Sequence, residues 1–394
     1  MKRPFQRIFL LALFVGLLLS ACDDPSNVGE GLIGPQSGIP FTNQFPISDF
    51  RPASIFQPDN LAPRVLAGRV EDPALGTYTV RGYVDIIAVT SAGLRAQPVE
   101  RAEIQLTPTY VYGDTTSEVT LAIREVLEEW DQEGLPTDTS FSVGPVIREF
   151  TFHPTDSVVV VELPSDWVAE HDAIIRDVDF GELFHGFRLD PISGNAVVGF
   201  GPNRTGLFAV TSEDSTALPA GQSYQHVERS ASIAPPPDRI LMQAGSGPGA
   251  AFSVNLSDVD LRTSSVNRAS IEIWTDTVTV QQDLPPHFVR PTLDALDLYG
   301  ITETGNASLI GRSSLDDDGR LVFDSPSVAG ALERQLLGEV TFDHYQLRIP
   351  DPNTLTGGEG QELYYYSSLN PIFLYAEGTG SRAPFVFMTG TPLD

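Results

Sequence analysis

The chain has 394 residues, 52 acidic and 24 basic, for a formal net charge of −28. A field of that sign repels phosphate backbones, so nucleic acid is excluded as a natural partner. A single cysteine rules out an internal disulfide framework, and stability must come from buried cores, for which the length is ample.

The N-terminus opens with a basic segment, Lys2, Arg3 and Arg7, followed by an apolar run from Ile8 to Leu19. That is the charge and length profile of a secretory signal peptide, too short for a permanent span. Leu19-Ser20-Ala21-Cys22 closes it, and Cys22 is the one cysteine. These four residues resemble the lipobox of bacterial lipoproteins, which implies that Cys22 is acylated (palmitate being a typical acyl chain) and becomes the first mature residue. Several acyl chains anchor stably where one exchanges. Residues 1–21 therefore read as a lipoprotein signal peptide. Asp23 and Asp24 resemble a surface-export signal in some outer-membrane lineages and an inner-membrane retention signal in others. The expected location is the outer membrane, lipid-anchored, with both the periplasm and the cell surface open as the side it faces. Loss of the signal's three positive charges takes the net charge from −28 to −31. Every remaining positive charge is arginine, as in proteins of saline media or of GC-rich genomes.

From Cys22 to Pro63 glycine and proline are frequent, with Pro25, Pro35, Pro40, Pro46, Pro52, Pro58 and Pro63 almost evenly spaced. Proline removes backbone donors, so 22–63 is expected to be an extended tether. The stretch 212–237, ending in Pro235-Pro236-Pro237, reads as an interdomain linker.

The blocks on either side, 64–211 and 238–394, look like copies. Val99-Glu100-Arg101-Ala102-Glu103-Ile104-Gln105-Leu106 matches Val266-Asn267-Arg268-Ala269-Ser270-Ile271-Glu272-Ile273 with a strict period of two, the pattern of a half-buried strand. Three more pairs follow in the same order: Phe187-Arg188-Leu189 with Leu347-Arg348-Ile349, Asn195 to Phe200 with Asn370 to Tyr375, and Leu207 to Thr211 with Phe385 to Thr389. Each copy carries one helix signal. Ser165 caps the first ahead of Asp166, and Ser325-Pro326 starts the second ahead of Val328, Leu332, Leu336 and Leu337. Asp316-Asp317-Asp318-Gly319 reads as a hairpin tip. The expected fold is all-β: two tandem jelly-roll-like β-sandwich domains, each with one short helix.

The first copy resembles the jelly-roll modules called DNRLRE-type domains, on Leu121 to Val126 leading to Trp130, Val158 to Leu163, and Phe184-His185-Gly186-Phe187-Arg188-Leu189. Over most of its length the chain also resembles an uncharacterised outer-membrane lipoprotein family (a domain of unknown function), on Cys22, the Glu71-Asp72-Pro73-Ala74-Leu75-Gly76 turn, and Ile240 to Gly247 ahead of Val266-Asn267-Arg268-Ala269. The resemblance implies sandwich architecture and brings no activity.

Catalytic motifs are missing from the sequence: there is no Gly-x-Ser-x-Gly, no phosphate loop and no His-Glu-x-x-His. His153, His171, His185, His226, His287 and His344 are scattered and read as structural. The chain is accordingly read as no enzyme and as needing no cofactor. For calcium, Asp316 and Asp318, and more weakly Asp258 and Asp260, offer clustered hard oxygens, with a bare hairpin tip as the competing reading of the first pair. For a ligand, the aromatics Trp130, Tyr110, Tyr112, Tyr364, Tyr365 and Tyr366 could stack on sugar rings if exposed and fill the core if not. The functional expectation is a membrane-anchored binding or structural lipoprotein with a glycan or surface-protein partner; carbohydrate binding within a polysaccharide-capture system is the alternative.

Overall fold

The structure is a computed structural model that describes residues 41–53, 64–131, 139–201, 205–245, 249–256, 264–350, 368–376 and 382–392. Cys22, Tyr364, Tyr365, Tyr366, Asp258 and Asp260 lie outside the described residues.

In chain order the first strands are β1 (Phe41–Ala53), β2 (Val65–Asp72), β3 (Gly76–Asp85), β4 (Arg101–Leu106), β5 (Pro108–Asp114), β6 (Val119–Val126), β7 (Val143–Phe152) and β8 (Val159–Glu162). They are followed by β9 (Phe187–Ser193), β10 (Ala196–Phe200), β11 (Gly206–Val210), β12 (Ser215–Pro219) and β13 (Gln222–Ser230). Short helices α1 (Ala92–Ala96), α2 (Ser165–Ile175) and α3 (Phe180–Leu183) interrupt them.

Two antiparallel sheets face each other in this first unit. The smaller runs β12-β11-β4-β8, and the larger runs β5-β10-β2-β3-β9-β6-β7 with β13 also against β3. The period-two strands turn Ala102, Ile104, Leu207 and Ala209 of the small sheet toward Val84, Leu121, Ile123, Phe187 and Leu189 of the large one, and these side chains form one buried core. Two glycines let the backbones close up around β10. Gly68 of β2 has φ +137° and Gly113 of β5 has φ +124°, and a Cβ on either would sit 2.2 and 2.3 Å from the carbonyl oxygens of Ala196 and Asn195.

The second unit contains β14 (Arg239–Gln243), β15 (Gly249–Val254), β16 (Ser264–Trp274), β17 (Phe288–Val289), β18 (Ala295–Thr302), β19 (Ala307–Ser314), β20 (Arg320–Phe323), β21 (Phe342–Arg348), β22 (Pro371–Tyr375) and β23 (Phe385–Pro392), with helices α4 (Thr277–Gln281) and α5 (Pro326–Leu336). Its pairings repeat those of the first. β16 lies between β23 and β20 as β4 lies between β11 and β8. β21 lies between β15 and β18, with β19 outside, as β9 lies between β3 and β6, with β7 outside. β14 pairs with β22 as β2 pairs with β10. All four matched segments of the sequence thus occupy equivalent strands. The last match shifts by one residue: Ile104 opposes Leu207 and Ile271 opposes Val386, so Leu207 corresponds to Val386 rather than to Phe385. A one-residue slip would exchange the faces of the strand, and both Leu207 and Val386 are wholly buried.

Three expectations are corrected. Residues 41–53 of the expected tether are strand β1, which pairs with β23 over Phe41–Pro46 and with β15 from Ile47 to Ala53. Proline is compatible with this because each half of β1 has one ladder partner, and an edge strand can spare an N–H. The expected linker 212–237 contains β12 and β13, which pair with β11 and β3, so of that stretch only the exposed residues from 231 onward lead from the first unit to the second. The single helix expected per unit becomes three and two, and the cap of α2 is Pro164 rather than Ser165, with no side-chain bond. Ser325-Pro326 does start α5, which buries Val328 and Leu332. Gly319 takes φ +81° at the expected turn.

β1 therefore bridges the two sheets of the second sandwich, whereas in the first β12 extends the small sheet and β13 lies on the large one, and the two closures differ in origin. In the first unit, β12 and β13 follow β11 directly. In the second, β1 arrives from the other end of the chain.

Candidate functional site

The chemistry-bearing side chains gather at the seam between the units. β17 adds to the edge of β5, Phe288 opposing Asp114 and Val289 opposing Gly113, which carries the first unit's large sheet into the second unit. Behind it Leu66, Val70, Tyr78, Val80, Tyr112 and Val197 pack against Leu241, Val280, Phe288, Leu369 and Phe373.

Within this apolar seam lies an ion pair with no exposed surface. Arg290 Nε donates to Asp72 Oδ2 and Arg290 Nη2 to Asp72 Oδ1, both at 2.6 Å. Asp72 belongs to the turn ahead of β3 and also accepts the N–H groups of Ala74 and Leu75, each at 2.8 Å, and the Tyr112 hydroxyl. Arg290 spends its third nitrogen on the Val280 carbonyl. Burial, reinforced by the Asp72 carboxylate, raises the Tyr112 phenol far above its ordinary value, so it stays a donor at any ordinary pH. Such a pair is stabilising only when its remaining donors and acceptors are met, and here each guanidinium nitrogen and both carboxylate oxygens have a hydrogen-bond partner. Its partners are 218 positions apart, and no local pattern announces it.

Tyr110 and Tyr112, two of the aromatics expected to meet a ligand, are parts of this seam. The Tyr110 hydroxyl accepts the Leu369 N–H and donates to Asn370 Oδ1, both at 3.0 Å, while Arg64 lies 5.1 Å from its ring centroid. Trp130 is also internal. It is 6 % exposed, stacks on Phe141 at 5.5 Å, and donates Nε1–H to the His185 carbonyl at 2.9 Å. The stacking role is corrected for Trp130 and Tyr112, which present no free face to a sugar, and Tyr110 spends its hydroxyl and one ring face inside the protein.

Beside the seam an open cleft with about 70 Å³ of water-accessible space is lined by Thr275, Asp276, Val280, Gln281, Thr292 and Ile372 among others. That is well below the roughly 300 Å³ at which small-ligand pockets begin. Its carboxylate is committed: Asp276 caps α4 through the Thr279 N–H and hydroxyl and pairs with Arg239 at 3.0 Å. Burial works against charge on Asp276, but these hydrogen bonds prevail and lower its pKa.

The carboxylate of Asp316 is likewise occupied, by the N–H groups of Asp318 and Arg320 and by the Arg320 guanidinium at 3.0 Å. Among the described residues no three His, Cys, Asp or Glu side chains converge as metal ligands would.

One histidine meets a half-buried carboxylate. His171 on α2 stacks on Trp167 at 4.2 Å, contacts Glu125 Oε2 through Nε2 at 2.9 Å, and bonds the Trp167 carbonyl through Nδ1 at 2.9 Å. Both ring nitrogens are engaged within the protein, which suits a structural clasp. Burial opposes charge on both groups and is outweighed by their mutual hydrogen bond, which raises His171 above 6.5 and lowers Glu125 below 4.5. The raised His171 stabilises fully below its unfolded value and loses this as pH rises through the folded one. The lowered Glu125 stabilises above its unfolded value and loses this as pH falls. The clasp therefore acts fully between about pH 4.5 and 6.5. Urea midpoints are expected to fall between about pH 6 and 8 in the native chain and to show a weaker fall in Glu125→Gln. Identical profiles for the two would sink this assignment.

No helix among the described residues is long and apolar enough to cross a membrane. Compared with protein-family models and with curated proteins, the chain matches none of them.

Proposed function

We propose that the chain is a lipoprotein anchored to the outer membrane through Cys22, whose paired sandwiches form one rigid, non-catalytic body with a structural or protein-binding role at the cell surface. The observation that carries this reading is the seam. A buried ion pair, hydrogen-bonded at every nitrogen and oxygen, and an apolar core join the units, which suits a body that holds a fixed shape more than one that hinges on a substrate. The anchor rests on the lipobox resemblance and on the absence of any other cysteine.

Mass spectrometry of the mature N-terminus of membrane-extracted protein tests the anchor, with a diacylated Cys22 as the expected first residue. An unmodified Cys22, or cleavage elsewhere, would overturn it. Release of reducing ends from any polysaccharide by the purified protein would refute the non-catalytic role.

Glycan capture is the second reading. Its support is the polar lining of the cleft, where Thr275, Thr292 and Gln281 offer hydroxyl and amide groups to the edge of a sugar ring. Glycan-array binding that Gln281→Ala removes would favour it.

A further inference from the structure

We infer that the slot between β15 and β23 is a strand-accepting site whose occupant, Phe41–Ala53, is exchanged between two copies of this chain, each closing the other's second sandwich.

The slot is defined by what fills it. β1 ladders along β23 from Phe41 to Pro46, bends where the register slips between Ser48 and Arg51, and continues along β15. Asp49 takes φ +52° at that corner. Without β1, the small and large sheets of the second unit would present unpaired edges to each other, a template for any extended segment of matching pattern.

The first unit has no such opening. Its closing strands, β12 and β13, are joined to β11 by four residues and to each other by two, so no other copy can compete with them. β1 has no such privilege. It is made first, while its partners include β23, which ends at Pro392. Until then it has nothing to close, and a neighbouring chain at the same stage offers an identical slot.

Exchange also costs no contacts. β1 is held by main-chain ladder bonds and by three apolar side chains: Phe45, buried, and Ile47 and Phe50, packed at the rim. Phe50 meets Phe252 edge-on at 5.6 Å. All of these are reproduced when the strand comes from a second copy, which makes the exchange an isologous, self-limiting pair. Residues 54–63, ten in number, set the reach of the arm at up to about 35 Å.

The test uses the full chain in membranes. Thr42 and Thr389 are directly opposed across β1 and β23, a spacing that a disulfide can span. Thr42→Cys and Thr389→Cys are placed on two differently tagged chains, and these are co-expressed and oxidised. A disulfide-linked band at twice the chain mass, carrying both tags and absent when either variant is expressed alone, is the expected result. The double variant on one chain controls for folding. If it forms its disulfide only within the chain and the co-expressed pair gives no mixed band, exchange is overturned. If it forms none at all, the pairing itself is wrong and the inference falls with it.

Discussion

Asp72→Ala is expected to cost about 5 kcal/mol of stability, near the top of the range for breaking a buried ion pair, because it orphans more than one group. Arg290 would be left charged with no exposed surface, and the Ala74 N–H, the Leu75 N–H and the Tyr112 hydroxyl would each lose their acceptor. Arg290→Met should cost less, about 3 kcal/mol, since the Asp72 carboxylate keeps those three donors and a methionine fills part of the space. The double variant Asp72→Asn with Arg290→Met should be milder than Asp72→Ala, because the amide oxygen still accepts from the turn and no buried charge remains. Urea or thermal unfolding followed by tryptophan fluorescence and by far-UV dichroism reads all three. The native chain is expected to unfold in one transition, and Asp72→Ala in two as the units uncouple. A cost below about 1 kcal/mol for Asp72→Ala would mean that the pair is hydrated and the seam open.

The sequence revealed the strands more readily than their partnerships. β4 and β16 announce themselves because alternation with a period of two is a local property, and Ala102, Ile104, Ala269 and Ile271 are indeed buried. Duplication followed from the order of such segments. The face of the last strand was harder to read, since Leu207-Phe208-Ala209-Val210 is apolar at every position and only the ladder decides which residues turn inward.

Composition misled at both closing strands. Pro46 and Pro52 argue against a packed element, and the argument holds for a central strand; β1 escapes it by having one ladder partner at a time. In β13 the polar sequence Gln222 to Ser230 hides a nine-residue ladder with β3. At the candidate site the aromatics were correctly noticed, but their exposure could not be inferred. Whether Tyr112 meets a sugar or a carboxylate depends on Asp72, and on Phe288 and Arg290, arriving from two other, distant segments.

Phe45→Asp tests the most unexpected of these partnerships and is expected to open the second unit alone. Phe45 is 7 % exposed, opposes Val386 across the ladder, and belongs to the same core as Ile271, Leu321 and Met388. Its loss from that core costs about 3–5 kcal/mol by truncation, and a carboxylate in its place adds a desolvation cost that nothing nearby offsets. The cheapest escape is for β1 to leave its slot. Hydrogen exchange is then expected to accelerate in β15 and β23, whose amides facing β1 lose their acceptors, while β2, β9 and β10 keep their protection because β12 and β13 close that sandwich independently. Gln44→Asp is the matched control. Gln44 is the neighbouring residue on the exposed face, so the same charge one position away should change stability by less than about 0.5 kcal/mol. If both variants leave β15 and β23 protected, β1 does not close the second sandwich and residues 41–53 revert to a tether. If both units lose protection together, the closing strand acts through the seam, and the two sandwiches unfold as one.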